Sequence, residues 1–233
     1  MPFPPNAPQT PTPGLAARHA LDLPPFRGIT LLLVEDSRFV CDALRMICLR
    51  SGGRLKRAET LSAARAYLSC RKPDVVIVDL GLPDGRGEGL IAEVAASGLP
   101  VLGMSGDPEG STAALAAGAA GFVDKPLAGI AAFQQLILGL VGGAGPADPK
   151  TGAQPGQAAP PGDPLALRDD LARVAGLIGG SDRGYAAGFL RSLGRAACDP
   201  ALELAAADAG SDAGRAALSR LVAERLALLA AVP

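Results

Sequence analysis

The most constraining stretch of the sequence is an unbroken apolar run at residues 75–78, which leads directly into the carboxylate of Asp79. A run of this kind, rich in β-branched residues, is typical of a strand buried on both faces of a parallel sheet. A loop rich in Gly and Pro follows at 81–85, so Asp79 is placed where the strand ends. Ligands of open α/β sheets bind at the carboxyl ends of the strands, although an isolated Asp there is more often a turn or capping residue.

Four further segments show the same order of a strand pattern followed by a helical pattern. Predicted strands occupy 29–34, 54–58, 74–79, 100–104 and 121–123, and amphipathic helices follow each of them up to about residue 140. Regular alternation of this kind predicts a parallel, doubly wound α/β sheet.

The first polar residues after these apolar runs form a chemically coherent set. Glu35 and Asp36 follow the first strand, Asp79 the third, Ser105 the fourth and Lys125 the fifth. In a parallel sheet they share one edge, where neighbouring carboxylates repel one another. A hard cation such as Mg²⁺ relieves that repulsion and prefers oxygen ligands. With a hydroxyl and an ammonium nearby, the pattern favours phosphoryl transfer to a carboxylate.

Four motifs at 33–37 (LVEDS), 78–85 (VDLGLPDG), 104–106 (MSG) and 122–126 (FVDKP) carry a resemblance to a known family. Over residues 27–141 the chain resembles the receiver domain of two-component response regulators. The resemblance implies a flavodoxin-like, five-stranded parallel sheet of order 2-1-3-4-5, which is followed here by a small all-α domain.

The resemblance also implies roles for the acidic residues. Asp79 would be the phosphoacceptor, which receives its phosphoryl group from a histidine kinase or a histidine phosphotransfer protein. Glu35 and Asp36 would hold Mg²⁺ together with Asp79 and the backbone carbonyl of Gly81. Glu35 stands where Asp is commoner in the family, and it keeps the carboxylate that a metal ligand needs.

The remaining implied roles belong to the fourth and fifth strands. Lys125 would pair with the phosphoryl oxygens, and Ser105 would move to hydrogen-bond them. Phe122 would change rotamer together with Ser105, as the second switch residue. Ser105 replaces the commoner Thr, Phe122 stands where Tyr is frequent, and the Lys125–Pro126 bond is expected to be cis. Taken alone, Ser105 could equally cap a helix and Phe122 could be a core residue.

The flanking segments are read from composition. Residues 1–26 are predicted to be a disordered, Pro-rich leader that contains His19, the only histidine, and 142–164 a flexible linker. Residues 165–233 are predicted to form a helical output, docking or dimerisation domain. Its stretch 208–221 is weakly similar to the active helix of histidine phosphotransfer domains, but Leu218 stands where those domains carry their histidine.

These features predict a response regulator that signals through protein–protein contacts, possible dimerisation included, rather than an enzyme. Residues 165–233 contain eight Arg, no Lys and eight acidic residues, so nucleic acid is not the expected partner. A DNA-binding transcriptional regulator remains the alternative. An aspartate-nucleophile phosphatase is disfavoured, because such enzymes carry a second Asp where this chain has Gly81.

Bulk composition agrees with a cytoplasmic protein. The net charge is −1 and four cysteines are scattered without metal-ligand spacing, which favours reduced thiols. No apolar run approaches the roughly 20 residues that span a bilayer, so no membrane association is expected.

Overall fold

The structure, a computed structural model, describes residues 24–107, 109–127, 129–142 and 162–231. Most of the predicted leader and linker therefore lies outside the described residues. The strands are β1 (Thr30–Val34), β2 (Arg54–Ala58), β3 (Val75–Asp79), β4 (Gly81–Leu82), β5 (Gly85–Arg86), β6 (Val101–Ser105) and β7 (Gly121–Asp124). The helices are α1 (Arg38–Arg50), α2 (Leu61–Cys70), α3 (Glu88–Ala96), α4 (Gly110–Ala116), α5 (Ile130–Val141), α6 (Pro164–Ala175), α7 (Arg183–Ala196), α8 (Pro200–Ala207) and α9 (Asp212–Ala230).

Five strands form a parallel sheet in the order β2-β1-β3-β6-β7. This confirms the predicted order 2-1-3-4-5, in which β6 and β7 are the fourth and fifth long strands. The loop after Asp79 contains a feature that the sequence did not predict, because β4 and β5 pair there as a short antiparallel hairpin.

The sheet is covered on both faces, which is why its central strands are continuous apolar runs. Leu31 and Leu33 of β1 face a cluster completed by α1 and α5, whereas Leu32 and Val34 face a second cluster completed by α2, α3 and α4. All residues of β3 are buried. The hydrophobic core therefore leaves the carboxyl ends of the strands as the place where polar side chains collect.

Short polar side chains define where the first two sheet helices begin. Ser37 accepts a hydrogen bond from Val40 N at the start of α1, and Thr60 accepts one from Ala63 N at the start of α2. Capping of this kind satisfies backbone N–H groups that lack a partner within the helix. Ser37 and Thr60 therefore fix where α1 and α2 begin.

The helices α6–α9 enclose a hydrophobic cluster of their own, which includes Leu171, Val174, Leu190 and Leu218. Phe39 of α1 belongs to this cluster although it comes from the α/β half of the chain. One aromatic side chain therefore joins the two halves. None of the helices in the described ranges is long and apolar enough to cross a membrane.

The folded parts extend beyond the predicted boundaries at two places. Phe26, placed in the leader by its Pro-rich surroundings, is fully buried and packs edge-to-face on Phe133 with ring centroids 6.1 Å apart. At the other boundary, Gly162 is buried and Asp163 caps α6, which begins at Pro164. Composition misplaced these ends because a few apolar or capping residues within a Pro/Gly-rich stretch are enough to attach it.

Candidate functional site

Parallel pairing of β1 with β3 brings the predicted acidic residues together. Val34 lies opposite Val78, so Glu35 and Asp36 emerge beside Asp79. Glu35 is 1%, Asp36 4% and Asp79 6% exposed. One carboxylate oxygen of each lies within 4.8 Å of the others. The sheet thus concentrates acidic groups in a buried position at its edge.

Lys125 compensates part of this charge. Its Nζ donates to Asp79 Oδ1 at 2.9 Å and forms an ion pair with Glu35 Oε2. The Lys125 side chain is only 4% exposed. Burial by itself would lower the pKa of Lys125, but the charges of Asp79 and Glu35 outweigh it and raise the pKa. The amine is therefore held as a cation between the acidic side chains of Asp79 and Glu35.

The single ammonium of Lys125 does not neutralise the negative charge of all three acidic side chains. Burial raises the pKa of Glu35 to about 8, against the opposing charge of Lys125. Burial also raises the pKa of Asp36, although Tyr185 and Arg173 act in the opposite direction. Asp36 Oδ1 is buried and has no hydrogen-bond partner among the described residues. Acidic groups that resist ionisation and an unpartnered oxygen fit a hard divalent cation such as Mg²⁺.

The backbone of the acidic loop is held in place from the neighbouring strand. Arg57 donates from Nε to the carbonyl of Glu35 at 3.1 Å and from Nη2 to the carbonyl of Asp36 at 2.6 Å. Gly81 lies beside Asp79, since a Cβ built on it would stand 3.9 Å from Asp79 Oδ2. Its backbone is thus close to the cluster, where the predicted carbonyl ligand would be needed.

The two predicted switch residues lie on adjacent strands and share a neighbour. A Cβ added at Gly110 would be 2.8 Å from the Cβ of Ser105 and 3.2 Å from Cζ of Phe122. The Ser105 hydroxyl accepts a hydrogen bond from Asp107 N at 3.0 Å. Ser105 therefore sits at the rim of the site with its hydroxyl bonded to its own loop, and Phe122 packs next to it. The Lys125–Pro126 bond is cis, as expected.

Other residues at the site come from α6 and α7, and sequence reasoning missed them. Tyr185 and Arg173 both donate to Oδ2 of Asp36, and Asp170 accepts from the first residues of α1. Asp170 shares the apolar stripe of Leu171 and Val174, which was a readable sign of a buried acid. No comparable sign marks Tyr185 or Arg173, because their partner is distant in the chain.

A cavity of about 850 Å³ lies between the acidic edge and α7. Asp79 and Ser105 line it from the sheet, and Ser192, Arg191 and Arg195 line it from α7. The carboxylate of Asp79 thus faces a partly open cavity that carries arginines on its opposite wall.

Comparison with known proteins identifies the α/β half. The response regulator receiver domain family matches residues 31–136. The chain is 40% identical over 110 residues to the KDP operon transcriptional regulatory protein KdpE of Escherichia coli K12, covering 46% of this chain and 48% of KdpE. It is 36% identical over 100 residues to the virulence transcriptional regulatory protein PhoP of Salmonella typhimurium, covering 41% and 45%. The chain thus spans about half the length of the curated relatives it matches.

Solved structures of receiver domains also match part of the chain. The signal receiver domain of a signal transduction histidine kinase from Syntrophus aciditrophicus is 24% identical with a TM-score of 0.46, covering 55% of this chain and all of that domain. The family match includes Glu35, Asp36, Asp79, Ser105 and Lys125 within its bounds. Over residues 31–136 the chain is therefore similar to the receiver domain family of two-component response regulators.

Proposed function

We propose that the chain is a two-component response regulator that is phosphorylated on Asp79. The observation that carries this proposal is the buried cluster of Glu35, Asp36 and Asp79 with Lys125 bonded to the acceptor carboxylate. Carboxylates act as nucleophiles toward phosphoryl groups when nearby charges offset the repulsion between the two anions. This edge of the sheet assembles both the nucleophile and a compensating cation.

The transfer step follows from the chemistry of the donor. A carboxylate oxygen of Asp79 attacks the phosphorus of a phosphohistidine, a P–O bond forms and the P–N bond breaks. The leaving imidazole takes up a proton from solvent. Lys125 already contacts Asp79 and would neutralise the charge that the incoming phosphoryl oxygens bring.

Glu35, Asp36, Asp79 and the carbonyl of Gly81 would hold Mg²⁺ in this proposal. The bound ion would offset the negative charge shared by the acceptor and the phosphoryl group. The orphaned, buried Oδ1 of Asp36 is the feature of these residues that supports such a site. Asp36 also contacts the C-terminal helices, so a cation bound to Asp36 would affect these contacts as well as the phosphoryl transfer.

Phosphorylation would then act as a switch. A phosphoryl group adds close to two negative charges and three acceptor oxygens next to Lys125 and the rim residue Ser105. The Ser105 hydroxyl would leave Asp107 N to reach the new acceptors, and Phe122, packed against the same glycine, would move with it. A two-state change of this kind biases the surface that a partner reads.

The proposed partners are a histidine kinase or a phosphotransfer protein as donor, and a protein, which could be a second copy of the chain, as output. A cytoplasmic location is part of the same proposal, and the buried free thiols of Cys41 and Cys48 fit a reducing compartment. We place the chain among signalling proteins rather than enzymes.

DNA binding is the second candidate output. The names of KdpE and PhoP describe transcriptional regulators, so the comparisons do not support the expectation that nucleic acid is an unlikely partner. Residues 165–233 carry eight Arg, no Lys and eight acidic residues, and this balance favours protein contacts. Salt-dependent retention of the phosphorylated chain on DNA would show that DNA binding, and not a protein contact, is the output.

Intact mass after incubation with Mg²⁺ and acetyl phosphate tests the central proposal. One added phosphoryl group is expected on the wild-type chain and none on Asp79→Asn. Asp124→Asn, an exposed carboxyl at the end of β7, is the matched control and should be labelled as the wild type is. Label retained on Asp79→Asn would assign the acceptor to another residue. Size-exclusion chromatography with beryllofluoride then reports whether activation changes the oligomeric state.

A further inference from the structure

The C-terminal helices lie directly on the acidic edge of the receiver domain and hold one of its carboxylates. Asp36 Oδ2 accepts a hydrogen bond from the Tyr185 hydroxyl and another from Arg173 Nη2 at 3.1 Å. Arg173 also donates from Nη1 to the Tyr185 oxygen at 3.1 Å and stacks over the ring of Phe189, 4.5 Å from its centroid. Arg173 and Tyr185, here called the latch, thus form a fixed pair on a carboxylate of the site.

A second contact places α6 on the start of α1. Asp170 is 1% exposed and accepts hydrogen bonds from Ser37 Oγ, Arg38 N and Phe39 N. The first N–H groups of a helix have no partner within it, so a carboxylate there satisfies otherwise unpaired donors. This contact fixes the position from which the latch reaches Asp36.

Helix α7 also lies across the approach to Asp79. Arg191 forms an ion pair with Asp107 at 3.5 Å, and the Cδ atom of Arg195 lies 3.2 Å from where a Cβ at Gly106 would stand. Both contacts seat α7 on the loop that follows β6. A histidine carried on another protein would have to displace this helix to reach Asp79.

We propose that helices α6–α9 are an inhibitory cap on the phosphoacceptor edge, and that the latch and a divalent cation compete for Asp36. The proposal rests on the metal site of the proposed function. The latch occupies Oδ2 of Asp36 and brings the positive charge of Arg173 to the carboxylate that would bind the cation. Binding of the latch therefore disfavours binding of the cation, and binding of the cation disfavours the latch. Coupling between two ligands is reciprocal, so metal binding weakens the seating of the cap by the same factor by which the cap weakens metal binding.

Calorimetric titration of the full-length chain with Mg²⁺ measures this competition. The test variant is Arg173→Gln/Tyr185→Phe, which removes the charge and the hydroxyl but keeps most of the volume. The matched control is Arg168→Gln/Tyr67→Phe, which changes an exposed arginine of the same helix and the second of the two tyrosines. Hydrogen bonds to charged groups are strong enough that the test variant should bind Mg²⁺ about tenfold more tightly, and the control as the wild type does.

Amide hydrogen exchange at Arg38 and Phe39 provides a readout that does not depend on affinity. These amides are protected by Asp170 and have no partner within α1, so their exchange reports whether the cap is seated. Saturating Mg²⁺ with beryllofluoride should accelerate their exchange by about tenfold in the wild-type chain.

The outcomes of the two experiments test the cap and the metal site separately. Tighter metal binding by the latch variant alone, with faster amide exchange on activation, supports the cap. Equal Mg²⁺ affinity in all three chains overturns the cap and leaves the phosphoacceptor proposal standing. Tighter binding without a change in amide exchange also overturns it, because the helices then stay seated. If none of the three chains binds Mg²⁺, the proposed metal site is wrong, and so is the proposed competition between the latch and the cation for Asp36.

Discussion

Two neighbouring aspartates of α6 test how the C-terminal helices are attached, because both contact the start of α1 and only one is buried. Asp170 accepts from Ser37 Oγ at 2.8 Å, Phe39 N at 3.0 Å and Arg38 N at 3.1 Å. Asp169 pairs with Arg38 at 2.8 Å, but the side chains of the pair, Arg38 and Asp169, are 59% and 44% exposed. The two carboxylates thus make contacts of similar length in very different surroundings.

The burial of the donors determines the expected loss. Asp170→Ala leaves two buried donors, Ser37 Oγ and Phe39 N, without their acceptor, and a buried donor without a partner costs about 1–3 kcal/mol. Because neighbouring atoms and water relax toward the gap, we expect the free energy of unfolding to fall by about 2–4 kcal/mol in total. Asp170→Asn keeps one acceptor oxygen and should lose less.

The matched control is Asp169→Ala, which removes only an exposed ion pair. Such pairs contribute about 0.2–1 kcal/mol, so the control should stay within about 1 kcal/mol of the wild type. Urea unfolding followed by circular dichroism, with slopes compared between variants, measures all three changes. Equal losses for Asp170→Ala and Asp169→Ala, or no loss for Asp170→Ala, would show that burial of this carboxylate does not attach the helices.

Three further predictions concern the sheet and its edge. Gly103→Ala would put a Cβ 2.3 Å from that of Ala114, and such overpacking should cost about 1–3 kcal/mol in urea unfolding; an unchanged midpoint would contradict the packing described. Because the pKa of Glu35 is raised to about 8 in the folded chain, that chain retains a proton which the unfolded chain loses near the ordinary carboxyl pKa. The metal-free protein should therefore lose stability as pH rises from about 4.5 to 8, and Glu35→Gln should remove most of this slope in denaturation at several pH values. Lys125→Ala leaves Asp79 without its buried cation and should destabilise the metal-free chain by about 3–5 kcal/mol; it should still bind Mg²⁺, but phosphorylation should no longer alter amide exchange near Ser105.

The receiver half could be predicted closely because local patterns determine it. Asp36, Asp79 and Lys125 each follow an apolar run at the end of a strand, and parallel pairing alone brings such positions to one edge. Phe26 escaped prediction because Pro-rich composition outweighed one aromatic residue. The short β4–β5 hairpin escaped it because two-residue strands leave no period to detect.

Contacts between the two halves could not be predicted from spacing. Asp170 is separated from Ser37 by 133 residues and Tyr185 from Asp36 by 149 residues, and nothing local to either residue specifies such a partner. The amphipathic stripes of α6 and α7 indicated packing and left its location open. An acidic residue on the stripe of α6 was the one local sign that part of this face is buried against polar groups.

In the proposed cap, the position of Phe39 would set the fraction of unphosphorylated molecules in which the helices α6–α9 are lifted from the acidic edge. Its ring is 5% exposed and packs in the cluster of α6–α9, so lifting the cap returns it to water. Exposing a phenylalanine side chain costs about 1.5–3 kcal/mol, which would by itself hold the uncapped form to roughly one molecule in ten to one in a hundred and fifty. The size of the side chain at position 39 would thereby adjust the ratio of signal to background without altering the chemistry at Asp79.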